Sequence, residues 1–185
     1  MYAGGNENIS VGHLNSKFGI PEERIDEIIE MELNEMVKVT TLHIHTGSDI
    51  IKDNDFELGI KKIFSIACNF KNIETIDLGG GIKIPYFKGD TQTNLDNYAK
   101  IIIDELKKFK LKKGKDLKLI FEPGKFLVSE SGYFITKVNY VKESIKNTFI
   151  QVDSGFNHFV RPTLYKSFHE IINSVSYTHL TLPTI

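Results

Sequence analysis

One cysteine, Cys68, stands in a chain of 185 residues. A single thiol closes no internal disulfide, which excludes a disulfide-stapled scaffold and agrees with a reducing cytosol, hence a cytoplasmic setting. Cys68 falls inside a helical pattern and reads as a small packing residue rather than a nucleophile. An excess of one charge is also missing. The 23 basic and 24 acidic residues leave a formal net charge of -1, which gives no electrostatic case for nucleic acid or an anionic membrane surface. Lysines cluster at Lys107 and Lys108 and at Lys112, Lys113 and Lys115. Such clusters read as a solvated helix end and loop. No apolar run reaches the roughly 18 residues of a membrane span, and no signal-peptide pattern opens the chain. Internal repeats and low-complexity tracts are lacking too. What is present, 41% hydrophobic and 25% charged residues, is ordinary for a soluble globular protein. The length allows one domain, or one domain and part of another.

Residues 1–19 are rich in Gly, Asn and Ser and read as a loop. Pro21 sits where a helix can start, and Glu22 and Glu23 follow where acids suit the helix dipole. Ile25, Ile28, Ile29 and Leu33 then recur at helical spacing. Residues 39–45 are short and β-branched, which predicts a strand. A second helix is predicted over 54–68, with Phe56, Ile60, Ile63, Phe64 and Ala67 on one face. Residues 73–78 form an apolar strand that runs into three glycines. A third helix covers 95–109, with Leu95, Tyr98, Ile102 and Leu106 aligned, and 117–121 is the third strand. Near-continuous apolar strands alternating with helices predict an α/β fold with a parallel sheet covered on both faces. Beyond Lys125 the pattern changes. Residues 132–142 and 148–153 are strand-like with no helix between them, which predicts entry into a β-rich domain.

Chemistry-bearing residues follow each predicted strand of the α/β part. The first ends in His43 and His45 and runs on to Ser48; after the second come Gly79, Gly80 and Gly81; after the third, Glu122, Pro123, Gly124 and Lys125. A glycine triplet after a strand permits a sharp turn and close approach of the backbone to a ligand. Its amides can form a concave anion site, and a plain tight turn explains it equally well. Two such turns on successive parallel barrel strands would flank one phosphate position. Glu122, at a strand end, is placed to accept a hydrogen bond from a protonated heterocycle nitrogen. A charge-assisted bond of this kind contributes about 1.5–3 kcal/mol. Satisfaction by neighbouring amides is the plainer reading. His43 and His45, two apart on a strand, face the same side and could form a metal pair. That pair needs further His or Asp ligands, and the neighbouring strand ends are read as offering glycines and Glu-Pro-Gly. No metal is therefore predicted. A flat imidazole against a planar cofactor ring fits better, with Ser48 as a phosphate donor; a core role for His43 stays open.

In this order and spacing, His43-Ile44-His45-Thr46-Gly47-Ser48, Asp77-Leu78-Gly79-Gly80-Gly81 and Glu122-Pro123-Gly124-Lys125-Phe126-Leu127-Val128 resemble the pyridoxal-phosphate decarboxylases of the alanine-racemase-like barrel fold. Gly12, His13 and the run Ser16-Lys17-Phe18-Gly19 are similar as well. The segment from Val152 to Tyr165, with Asp153, Asn157, Arg161, Pro162 and Tyr165, resembles the branch of the family that decarboxylates diaminopimelate. The likeness extends over about residues 3–173. It implies that His45 stacks on the pyridine ring, that Ser48, Gly79, Gly80, Gly81, Gly124 and the Lys125 amide hold the phosphate, and that Glu122 keeps the ring nitrogen protonated. A protonated ring is an electron sink, which decarboxylation requires. His45 and Glu122 are thus the expected catalytic pair. Lys125, Arg161 and Tyr165 are the expected substrate contacts, with Arg161 suited to a distal carboxylate because a planar guanidinium matches it in bidentate fashion.

Two departures accompany the likeness. Lys125 stands where the family usually has Arg, and loses the fork. No lysine lies in the Tyr-Ala-x-Lys setting where the family carries the residue bonded to its cofactor. The resemblance then implies a piece of a longer chain: residues 1–124 as the C-terminal part of a (β/α)8 barrel, and 125–174 as the start of a C-terminal β domain. Residues 175–185 depart from the family abruptly and read as a non-native tail. The whole protein is expected to take pyridoxal phosphate and an amino-acid substrate, to act as a homodimer, and to bind neither nucleic acid nor membrane. The piece alone is expected to be inactive. Readings kept beside this are a decarboxylase of the same fold acting on carboxynorspermidine, ornithine or arginine, and a metal-dependent barrel hydrolase using His43 and His45.

Overall fold

The structure, a computed structural model, describes residues 17–45, 47–49 and 53–174. The expectations on Gly12, His13 and Ser16, and on the tail 175–185, lie outside them. A 3-10 turn, Glu22–Arg24, leads into α1 (Ile25–Leu33). Then come β1 (Thr41–His43), α2 (Asp53–Ala67), β2 (Thr75–Asp77), α3 (Leu95–Lys113), β3 (Lys118–Ile120) and the short α4 (Gly124–Val128). β4 (Val138–Glu143), β5 (Thr148–Val152) and the short α5 (Arg161–Tyr165) complete the described elements.

Two compact units divide the described residues: one runs up to Pro85 and from Thr91 to Ile135, the other holds Tyr86–Asp90 and the described residues from Thr136 on. In the first, β1, β2 and β3 pair in parallel in that order. Leu42 aligns with Ile76, and Ile76 with Leu119. The parallel α/β expectation holds, and the strands are shorter than the apolar runs that marked them. The first unit runs on to Ile135 and includes α4, which is tied into it. The Lys125 ammonium pairs with Asp49 in the loop after β1.

Helical spacing explains the core of this unit. Phe56, Ile60, Ile63, Phe64 and Ala67 recur on one face of α2, and all five are buried. They pack with Phe70, Ile73, Ile76, Leu78, Tyr98, Ile102 and Phe109. Each fully buried Ile or Phe side chain contributes roughly 1.5–3 kcal/mol. Phe56 stacks on Tyr98, and burial pushes the Tyr98 hydroxyl well above its ordinary range. Leu95 was expected in this face and is exposed instead, because it is the first residue of α3 and projects past the packed layer. Asn94 caps α3 by accepting from the Asn97 N–H at 3.1 Å, and Gly114 ends it in the left-handed region at φ 71°.

One buried carboxylate ties loops to this core. Glu32 accepts from the Lys71 N–H at 2.9 Å, the Val39 N–H at 3.2 Å and the Asn72 amide at 3.2 Å. Burial opposes its charge, but these hydrogen bonds outweigh it and hold its carboxyl below the usual value.

In the second unit, β4 and β5 form an antiparallel ribbon with an irregularity between Val138 and Tyr140. The strand-like pattern beyond Lys125 thus becomes a hairpin. α4 and α5 were not anticipated: at five residues each, neither is long enough to show helical periodicity. Among the described residues no helix is long and apolar enough to cross a membrane.

Candidate functional site

Parallel pairing brings the C-terminal ends of β1, β2 and β3 together. Ladder hydrogen bonds continue past each strand: Ile44 N–H to Asp77 O at 2.9 Å, Leu78 N–H to Ile120 O at 3.0 Å, and Glu122 N–H to Gly79 O at 2.8 Å. His45, the glycine turn and Glu122 are thereby held as neighbours. The Gly80 N–H donates to His45 Nδ1 at 3.3 Å, which fixes the ring orientation and makes Nδ1 the acceptor.

The glycines have a steric reason at this point. A Cβ on Gly80 would lie 2.4 Å from the Glu122 carbonyl oxygen, and one on Gly79 would lie 2.7 Å from the Ile44 carbonyl oxygen and 2.9 Å from His45 Nδ1. Gly79 is also in the left-handed region at φ 62°. These two residues therefore let three backbones converge. Gly124 differs, since a Cβ there would meet nothing within 4 Å. Gly81, at φ 96°, completes the turn. Ser48 is half-buried in the loop after β1.

Glu122 projects a half-exposed carboxylate from the same strand ends, 3.5 Å from His43 Nε2. Asp77 joins them: ligand atoms of His43, Asp77 and Glu122 lie within 4.8 Å of one another. Asp77 also accepts from the Gly79 N–H at 2.9 Å. Sequence reasoning passed over Asp77 because its position reads simply as the end of an apolar strand. The available signal was register, since Asp77 pairs with His43 across β1 and β2. These three side chains are the ones among the described residues that could hold a metal ion. His45, which the hydrolase reading pairs with His43, is not in this group; its Nδ1 accepts from the Gly80 N–H instead.

A planar, phosphorylated, ring-nitrogen cofactor fits this set. It needs a ring to stack on, a carboxylate free of a permanent cation, and open backbone near a glycine. His45, Glu122 and Gly124 offer these. Lys125 is less available than expected, because its ammonium is paired with Asp49.

Arg161 and Tyr165 lie in the second unit, on α5, four residues apart. Arg161 Nη2 donates to the Tyr86 hydroxyl at 3.3 Å and to Ser167 Oγ at 3.4 Å, and its guanidinium lies 5.6 Å from the Tyr86 ring centre. His169 packs edge-on to Phe159 at 4.6 Å between ring centres and to Tyr86 at 6.3 Å. Burial first, and the Arg161 charge second, lower the His169 pKa and favour the neutral ring. Neither Tyr86 nor His169 was singled out from the sequence.

Residues 2–129 match the family described as pyridoxal-dependent decarboxylase, pyridoxal binding domain. Diaminopimelate decarboxylase of Methanothermobacter thermautotrophicus is 33% identical over 179 residues, which is 92% of this chain and 41% of that protein. The same enzyme of Buchnera aphidicola subsp. Acyrthosiphon pisum is 35% identical over 175 residues, 91% of this chain and 40% of its own length. The crystal structure of diaminopimelate decarboxylase from Helicobacter pylori complexed with L-lysine superposes with a TM-score of 0.79 at 31% identity, and covers 95% of this chain and 44% of that one. The chain thus spans about two fifths of the length of the relatives it matches.

Proposed function

The chain belongs to the pyridoxal-dependent decarboxylases, and from that premise we propose that the whole protein carrying it converts meso-diaminopimelate to lysine and carbon dioxide. The observation that carries this reading is the convergence of His45, Gly80 and Glu122 at three adjacent parallel strand ends, with the Gly80 N–H on His45 at 3.3 Å. The three strands belong, in this proposal, to the C-terminal part of a (β/α)8 barrel. β4 and β5 begin a further β domain. The assembly is a homodimer, and the lone thiol Cys68 agrees with a cytoplasmic setting.

When bound, pyridoxal phosphate supplies an electron sink for the electrons left as carbon dioxide departs. The residues of this chain do the rest. His45 offers a ring face whose orientation is set by the Gly80 amide. Ser48, Gly81 and the Lys125 amide donate to the phosphate, while Gly79, Gly80 and Gly124, whose N–H groups go to Asp77, His45 and the Glu122 carbonyl, shape the turns that line it. Glu122 holds a proton at the ring nitrogen through a charge-assisted bond, which deepens the sink. Arg161 and Tyr165 take the distal carboxylate of the substrate. This recognition separates diaminopimelate from diamines and amino acids without that group, because an unpaired guanidinium rejects a ligand that cannot satisfy it.

The test is carbon dioxide release by the whole protein with its cofactor from meso-diaminopimelate, ornithine, arginine and carboxynorspermidine. Turnover of diaminopimelate well above the other three is expected. Preference for a substrate without a distal carboxylate would overturn the assignment.

A further inference from the structure

Most side chains of the second unit face solvent, including Tyr140 at 61% and Phe149 at 51% exposure. Arg161 is an exception. Its side chain is half-buried among Tyr86, Ser167 and His169. Removing a charge from water is costly unless something compensates. Among the described residues no carboxylate pairs with Arg161: its hydrogen bonds go to two neutral hydroxyls, and both use Nη2. The N–H groups on Nη1 and Nε keep their capacity for an anion. His169 does not compete with it as a second cation, since burial and the Arg161 charge favour its neutral form.

What holds the guanidinium is Tyr86. The ring lies 5.6 Å from the guanidinium carbon, within reach of a cation–π contact. The hydroxyl accepts from Nη2 at 3.3 Å. Tyr86 comes from a distant part of the sequence, five residues beyond Gly81 in the connection between β2 and α3. The Tyr86 N–H in turn donates to Asp90 at 2.9 Å, which shapes that connection.

We propose that Tyr86 is a specificity-determining positioning residue: its ring and hydroxyl hold the Arg161 guanidinium so that the free N–H groups meet a substrate carboxylate. The inference rests on the reading of Arg161 given under the proposed function. The cation–π contact holds the guanidinium near the ring without using its hydrogens, and the bond from Nη2 to the hydroxyl restricts its rotation. A fork set in advance loses less freedom when a carboxylate docks. Tyr86 acts through Arg161 and has no part in the chemistry at the strand ends.

The experiment uses the whole protein with pyridoxal phosphate bound, and compares wild type, Tyr86→Phe and Tyr86→Ala. In Tyr86→Ala, KM for diaminopimelate rises about tenfold, as loss of roughly 1.4 kcal/mol implies, while kcat stays within about twofold. Tyr86→Phe keeps the ring and rescues most of the loss, leaving KM up about threefold. The visible absorbance of the bound cofactor is the same in all three. Should Tyr86→Ala fold poorly, the KM of Tyr86→Phe decides. An unchanged KM in the well-folded variants, or a fall in kcat matching the rise in KM, would overturn the inference while leaving the diaminopimelate assignment intact. A wild type that does not turn over diaminopimelate would instead remove the assignment, and this inference with it.

Discussion

The two compact units differ in what holds them. The first has a continuous apolar core in which Ile60, Ile73 and Ile76 are fully buried, and His45 and Glu122 stand at strand ends fixed by that core. The second has a two-stranded ribbon whose residues are nearly all exposed. Its order rests on polar and aromatic contacts: Thr136 and the Lys137 N–H on Asp153, and Tyr86 and Ser167 on Arg161. An isolated hairpin is marginal in water. The residues proposed to hold the cofactor are thus anchored by packing, and those proposed to meet the substrate by a few directed contacts, so the two groups should fail under different insults.

Core truncation should separate the two units most strongly. Ile76→Ala should cost about 2–5 kcal/mol and unfold the first unit, whereas Ile150→Ala in β5, 38% exposed, should cost about 1 kcal/mol or less. Denaturant titration of both variants measures this, and equal losses would contradict the contrast. Glycine substitution sharpens it. Gly80→Ala places a Cβ against the Glu122 carbonyl, should cost about 1–3 kcal/mol, and should weaken cofactor binding. Gly124→Ala meets open space and should be neutral or stabilising by under about 1 kcal/mol. Thermal melts of the pair distinguish a glycine that lets backbones converge from one that does not.

Acid offers a gentler test. The folded His169 pKa is below its ordinary 6.5, so as pH falls through 6.5 the unfolded form takes up a proton that the folded form refuses. Stability of the second unit therefore declines from about pH 6.5 downward. Glu32 has its folded pKa below the ordinary 4.5. Its contribution is complete above that value and is lost as pH falls from 4.5 through the folded pKa. Hydrogen exchange followed against pH should show the second unit opening first, and Glu32→Gln should remove the later acid step. Simultaneous opening would erase the distinction.

Much of the first unit was legible in the sequence because period and burial agree there. The α2 face from Phe56 to Ala67 is continuous, and the glycine triplet marks its own strand end. The strand-end positions of His45, Gly79, Gly80 and Glu122 were legible for the same reason, since each lies at the end of a recognisable strand. Leu95 misled because periodicity does not say where a helix leaves the packed layer. Asp77 was hidden by register, which no single strand displays. Tyr86 was hidden by distance, as its partner Arg161 lies 75 residues away. α4 and α5 are too short to carry a period.

The strand ends of the first unit are proposed to cradle pyridoxal phosphate, with Glu122 on the ring nitrogen. Titration of the whole protein with pyridoxal phosphate, followed by visible absorbance in wild type and Glu122→Gln, tests it most directly. Loss of a charge-assisted bond of about 1.5–3 kcal/mol predicts cofactor affinity lower by about tenfold or more and a changed absorbance band in the variant. Identical affinity and identical absorbance in the two proteins would contradict it.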